Sequence, residues 1–268
     1  MHGSGEVADH GWVFVSPHLD DVILSCGGTV ARAARVGRPT IVTVFAGIPE
    51  GEMNEFARYQ HDRWRLDHEN AVASRREEDH RAAKCIGESV EVKWLDYLDA
   101  IYRDPGYASD DAIFGQILPG DLLLAEQIYN DLSSMGSQRF VIPMGSGNHV
   151  DHQIVREAGL MLLADGNEVW GYVEIPYALD SDRRHAAIQN TDFDEVARIP
   201  LDDDAMRRKL KAVSQYASQL PVLFRDRGHP DVELTGFARE LGNGRAIEML
   251  WRLRRDSVAE LDLKSFDA

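Results

Sequence analysis

The sequence predicts an α/β protein built on an open parallel sheet with helices on both faces. Apolar runs rich in β-branched residues alternate with segments of helical period through the first two thirds of the chain, the signature of βαβ units. Two histidine–aspartate clusters each stand at the carboxyl end of a strand and directly before a helix. The 268 residues are ample for one large core, and no linker rich in Pro, Gly or Ser divides them,. Residues 1–268 are therefore read as a single domain whose C-terminal third is more irregular.

The first strand spans about 12–16 (Trp-Val-Phe-Val-Ser), and a helix from about 21 to 36 closes at Gly37 with Pro39 beyond it,. Thr40 to Phe45 is β-branched enough for a second strand,. The polar stretch after it, Gly51 to Asn70, is read either as an irregular lid or substrate wall or as a helical surface insertion whose apolar residues pack back on the domain. A helix follows at about 68–86, a third strand at 90–95 and a helix near 121–134. Arg139 to Pro143 forms the fourth strand, with a helix opening near Val150 and a strand over about 169–175. Beyond lie a further strand and an amphipathic helix at about 203–217,. In a Rossmann-like sheet of order 3-2-1-4-5, the first and fourth strands are neighbours, and ligands bind in the crevice at their carboxyl ends.

The formal net charge is −16, from 29 basic and 45 acidic residues without a basic cluster, so nucleic acid and anionic membranes are poor partners. No apolar run reaches the roughly 18 residues of a membrane span, and the chain start lacks a secretory pattern,. Two cysteines are too few for a disulfide scaffold,. A cytoplasmic enzyme is expected, its oligomeric state unknown.

The clusters are His18-Leu19-Asp20-Asp21 and His149-Val150-Asp151-His152. His18 and Asp21 are three apart, as are His149 and His152, so each pair shares one side of a first helical turn. Either cluster alone could be helix capping by Asp20, Asp21 or Asp151. Capping needs no histidine, however, and two such clusters at one crevice offer two imidazoles and a carboxylate with open positions, a set suited to Zn2+ and a bound water. Asp21 and His152 are ligands in this reading. Asp20, beside Asp21 but on another side of the turn, can accept a proton. His149 can stabilise an oxyanion or protonate a leaving amine, and Asp151 can orient His149.

Pro17-His18-Leu19-Asp20-Asp21 followed by Gly27-Gly28 resembles the PHxDD...GG signature of the LmbE-like, or PIG-L, zinc-dependent N-acetylglucosaminyl deacetylases, and His149-Val150-Asp151-His152 resembles their HxDH motif. Arg75, Glu78, Ala82 and Gly87 fit the family's R..E...A...LG helix, Trp94 to Asp99 its substrate-site strand and loop, Lys211 to Gln219 its late K.A...Y.SQ helix, and Ala246-Ile247-Glu248 its terminal segment. Val22 departs from the Glu of many members. The resemblance implies that His18, Asp21 and His152 bind zinc, Asp20 is the general base and His149 holds the charge on the amide oxygen. It also implies that Arg75 and Asp99 hold substrate hydroxyls. The substrate is then a GlcNAc-bearing small-molecule glycoconjugate. The chain resembles most the deacetylases of teicoplanin-type glycopeptide antibiotic pathways, with a GlcNAc-inositol thiol precursor as the alternative.

Met53, Phe56, Tyr59 and Trp64 in the polar stretch could cover a bulky, partly aromatic substrate, so Trp64 joins the candidate substrate contacts. Gly27-Gly28 is read as close packing and Cys26 as an apolar filler, while His61, His68 and His80 default to the surface. Trp170, Tyr172 and Tyr177 suit core packing as well as sugar stacking. A metallophosphoesterase is suggested by Gly147-Asn148-His149, but no Asp-x-His occurs in the chain. A non-catalytic sugar-binding protein is disfavoured because all five metal and acid–base positions are filled.

Overall fold

The computed structural model describes residues 11–255; the chain start, read above as lacking a secretory pattern, and the end of the proposed 1–268 domain lie outside them. The chain runs β1 (Val13–Ser16), α1 (Asp21–Ala33), β2 (Thr40–Thr43), α2 (Glu55–Trp64), α3 (Ala71–Ile86), β3 (Glu91–Trp94), α4 (Ala100–Arg103) and α5 (Asp110–Ile113). It continues through α6 (Leu124–Ser133), β4 (Arg139–Pro143), α7 (Val150–Ala164), β5 (Glu168–Tyr172), α8 (Ser181–Gln189), β6 (Phe193–Pro200), α9 (Asp203–Val213), α10 (Leu220–Leu223), α11 (Pro230–Leu241) and β7 (Ile247–Leu253). One sheet of order β3-β2-β1-β4-β5-β7-β6 holds all seven strands. The pairs from β3 to β5 are parallel, and β7 runs against both its neighbours. The expected α/β sheet is thus mostly parallel with one reversed strand.

Strand periodicity sorts the core onto two faces. Phe14, Ile41, Val141 and Tyr172 share a cluster with residues of α1, α3 and α9. Val13, Val15, Val42, Phe140 and Ile142 share the other with α6 and α7. Full burial of each such large side chain contributes about 1.5–3 kcal/mol.

Of the two readings of Gly51 to Asn70, the irregular one gives way to the helical one: α2 is capped by Asn54, whose side chain accepts from the Ala57 N–H at 2.8 Å, and Met53, Phe56 and Trp64 pack back on a core cluster. The buried positions of α2 are Ala57, Gln60, His61 and Trp64, the helical period that the many charges on the other face obscured,. The final third, expected to be more irregular, holds α8 to α11, β6 and β7; β6 reads weakly because it is a polar edge strand,.

Buried polar links lock the helices that carry the site. Glu248 on β7 accepts from the Gly28 and Thr29 N–H groups, the Thr29 hydroxyl and Lys209 Nζ. A Cβ on Gly28 would meet Leu201 at 2.7 Å and Glu248 of β7 at 3.1 Å, so the expected close packing is real. The buried lysine is Lys209 on α9, whereas Lys211, which the resemblance placed in the late motif, is exposed. Across α3, Asp79 accepts from Trp94 Nε1 and the Tyr216 hydroxyl, and Glu78 from the Ser218 hydroxyl. No helix among the described residues is long and apolar enough to cross a membrane.

Candidate active site

Both histidine–aspartate clusters face one cleft at the carboxyl edge of the sheet, where β1 and β4 lie side by side. His18 lies in the loop after β1, and Asp20 and Asp21 open α1; His149, Asp151 and His152 open α7. His152 Nε2 lies 3.4 Å from Asp21 Oδ2, and His18 Nδ1 lies 3.5 Å from the same oxygen. A tetrahedral divalent ion with donors at about 2.1 Å spaces them by roughly 3.4 Å. His152 Nε2 is buried and accepts or donates no hydrogen bond, an expensive orphan that a metal would satisfy. The three residues therefore fit a metal on their own geometry.

Each imidazole is held by its other nitrogen. His152 Nδ1 lies 3.1 Å from Glu174 Oε1, and His18 Nε2 lies 2.9 Å from Asp151 Oδ2. With those nitrogens protonated toward carboxylates, the facing nitrogens carry lone pairs into the shared set. Burial works against charge on His152, yet Asp21 and Glu174 raise its pKa to about 9. Metal binding must therefore displace protons. Burial likewise opposes charge on Asp151, and Arg103, whose guanidinium lies 2.7 Å from Oδ1, overcomes it and holds the carboxyl below its ordinary range.

Asp151 does not orient His149 as the sequence suggests. Its carboxylate serves His18 and stays 4.0 Å from His149 Nδ1. The Asp151 backbone N–H donates to His149 Nδ1 at 3.2 Å, so His149 caps α7 and its proton sits on Nε2. Capping needs no histidine, yet here one serves as the cap. Burial keeps the His149 pKa well below its ordinary value, leaving a neutral donor on the cleft wall. The second possible donor group, His18 with His149 and Asp151, is already closed by these hydrogen bonds.

Asp20 occupies the N-cap position of α1 but makes no capping bond; it is buried at the cleft beside the donor set. Burial, then the charge of Asp21, push its carboxyl up to about 7, the range a proton acceptor needs at neutral pH.

The remaining candidates line the same cleft, of about 260 Å³. Asp99 caps α4, with Oδ2 3.7 Å from His18 Nε2. Arg75 is buried with its guanidinium 4.6 Å above the Trp64 ring and its Nε unpartnered, whereas Arg76 takes the ion pair with Asp96. Trp64 lies on α2. Tyr177, beyond the end of β5, packs on His152 and Phe114 at the cleft, while Trp170 and Tyr172 belong to the core. His61 is buried against Trp64 and Tyr102 rather than exposed, and Cys26 is a core residue as expected. Asn148 turns away from the cleft, donating to the carbonyls of Phe114 and Gly115. Sequence reasoning missed Glu174, Arg103 and Phe114, and it placed Gln219 in the late motif without giving it a role. Only Glu174 left a trace, as a lone charge in the apolar run Gly-Tyr-Val-Glu-Ile-Pro.

A doubly wound α/β sheet carrying a His-Asp-His set and an adjacent free carboxylate at its switch point defines a metal-site hydrolase class. Residues 13–163, more than half of the chain, match the family described as PIG-L: GlcNAc-PI de-N-acetylase. A 2'-N-acetylparomamine deacetylase of Niallia circulans is 30% identical over 277 residues, covering 92% of each chain. The zinc-inhibited form of a teicoplanin deacetylase superposes with a TM-score of 0.75 at 25% identity, covering 91% of this chain and 97% of that one. An A40926 pseudoaglycone deacetylase gives 0.72 at 26% with the same coverage. The chain belongs to the LmbE-like, or PIG-L, deacetylase family, and it is an N-deacetylase acting on an amide.

Proposed function

We propose that this enzyme uses zinc to remove the acetyl group from an N-acetylglucosaminyl unit of a glycoconjugate, a teicoplanin-type glycopeptide antibiotic precursor. The convergence of His18 Nδ1, Asp21 Oδ2 and His152 Nε2 carries this reading. The nitrogen-rich set and the zinc-inhibited form of the teicoplanin deacetylase support zinc as the ion. Held there, the ion polarises the amide carbonyl and lowers the pKa of water.

The protein's own groups do the rest. Asp20 takes the proton of the attacking water as its oxygen bonds to the carbonyl carbon. His149 Nε2–H donates to the amide oxygen as negative charge develops, which the buried site makes worth more than it would be in water. When the C–N bond breaks, the amine leaves with the proton returned by Asp20, and acetate remains. Asp151 keeps His18 in its ligating tautomer. Arg75, Asp99 and Trp64 hold the sugar. The segment Gly51 to Asn70, which carries Gln60, Arg63 and Trp64 to the cleft, contacts the aglycone. Two unpaired cysteines support action in the cytoplasm,.

A second reading, an acetylated aminoglycoside precursor, is favoured by the relative that matches over nearly its whole length. The test is acetate release and metal content for the wild type and for His152→Ala and Asp20→Asn, across GlcNAc, GlcNAc-inositol, a GlcNAc-glycopeptide and 2'-N-acetylparomamine. His152→Ala should lose most bound zinc, and Asp20→Asn should keep zinc while turnover falls by about 10²–10⁴. Full zinc in His152→Ala, or retained turnover in Asp20→Asn, would reassign the site. The best-cleaved member of the panel decides the substrate class.

A further inference from the structure

The late motif ending Tyr216-Ala217-Ser218-Gln219 does more than join helices. Gln219 follows α9, is 4% exposed, and lines the cleft together with His18, Asp20, Arg75 and His149. Its amide direction is fixed by a chain of hydrogen bonds with only one workable polarity. Glu78 accepts from the Ser218 hydroxyl at 2.6 Å and from the Ser218 N–H at 2.9 Å. A carboxylate only accepts, so the single Ser218 hydroxyl proton is committed to Glu78. The Ser218 oxygen can then only accept from the group 2.8 Å away on Gln219, which must be the amide nitrogen. The carbonyl oxygen of Gln219 is left over, and it accepts no hydrogen bond among the described residues.

Glu78 lies one turn along α3 from Arg75, whose buried Nε donates to nothing. One helix therefore sets a donor and, through Ser218, an acceptor on the same cleft.

We propose that Gln219 is a specificity-determining residue that accepts a hydrogen bond from a substrate sugar hydroxyl, with Glu78 and Ser218 as positioning residues that fix its polarity. The inference rests on the N-acetylglucosaminyl reading above and adds a contact to it. A hydroxyl can donate to this oxygen and accept from Arg75, as the two buried groups require,. An analogue lacking that hydroxyl leaves the Gln219 oxygen dry and unpaired.

The experiment is steady-state deacetylation by the zinc-loaded full chain of an N-acetylglucosaminide and its 3-deoxy, 4-deoxy and 6-deoxy analogues. Gln219→Met, close in shape but without the acceptor, should raise KM for the parent about tenfold with kcat within about twofold. The tenfold penalty should vanish for one deoxy analogue and persist for the others. Ser218→Ala, which frees the amide to rotate, should reproduce the pattern at about threefold and serves if Gln219→Met does not fold. Equal penalties on all four sugars, or a fall in kcat at unchanged KM, would overturn the proposal and place Gln219 in the framework. A wild type that leaves all four sugars untouched would overturn the N-acetylglucosaminyl reading and this contact with it.

Discussion

Two helices of this protein begin in the same way and do different things. α7 opens on His149-Val150-Asp151 and α11 on His229-Pro230-Asp231. Both histidines sit at the N-cap with extended backbone, at φ −66° and ψ 134° for His149 and φ −61° and ψ 134° for His229. In both, Nδ1 accepts from the N–H of the aspartate two residues on, at 3.2 and 3.3 Å. Locally they are one motif. His229 and Asp231 are exposed, and the motif there ends at the cap. His149 is buried, with the His18 ring 4.8 Å away, and Asp151 is fully enclosed between Arg103 and His18. A short helix-start motif therefore supplies orientation, and what surrounds it supplies chemistry.

Breaking the surroundings should cost more than breaking the motif. Arg103→Met leaves the Asp151 carboxylate buried without its cation, and unfolding by denaturant should show a loss of about 3–5 kcal/mol. Asp231→Asn, the matching loss of charge at the exposed helix, should stay within about 0.5 kcal/mol. An Arg103→Met protein as stable as the wild type would mean that Asp151 finds another partner.

The next contrast separates capping from catalysis. His149→Ala should lower kcat by about 10²–10³ with zinc retained, and it should also lose the cap. His149→Asn restores a capping side chain and should recover stability but not turnover. Recovery of turnover by asparagine would remove His149 Nε2 from the reaction.

The smallest effect belongs to His229→Ala, which should cost about 1 kcal/mol or less in thermal unfolding and leave acetate release unchanged. A measurable fall in turnover there would show that the two helix starts are coupled, and the comparison would fail.

Much of this was legible in the sequence because it is local. The strands announce themselves by β-branched runs, and the spacing of His18 to Asp21 and of His149 to His152 is a property of one helical turn. Placing both clusters at neighbouring strands needed only the sheet order that βαβ units impose. α2 was legible only as one of two readings because charges crowd its outer face, although Asn54 and the spacing Ala57, Gln60, His61, Trp64 mark it. By charge alone, without the family resemblance, the run Arg75-Arg76-Glu77-Glu78-Asp79 reads as one solvated face. The structure divides that run, burying Arg75, Glu78 and Asp79 while Glu77 stays exposed.

By itself, then, the sequence determined the strands, the helix starts and the residue types that meet at them, since these depend on neighbours three or four positions away. Tertiary structure alone decided which polar group each buried side chain answers to. His18 meets Asp151 across 133 positions, His152 meets Glu174 across 22, and Ser218 meets Glu78 across 140. A buried donor or acceptor must be paired inside the fold because water cannot reach it, and its partner is whatever the packing of distant elements brings within about 3 Å. The tautomers of His18 and His152, the capping role of His149 and the unpartnered oxygen of Gln219 all follow from that pairing.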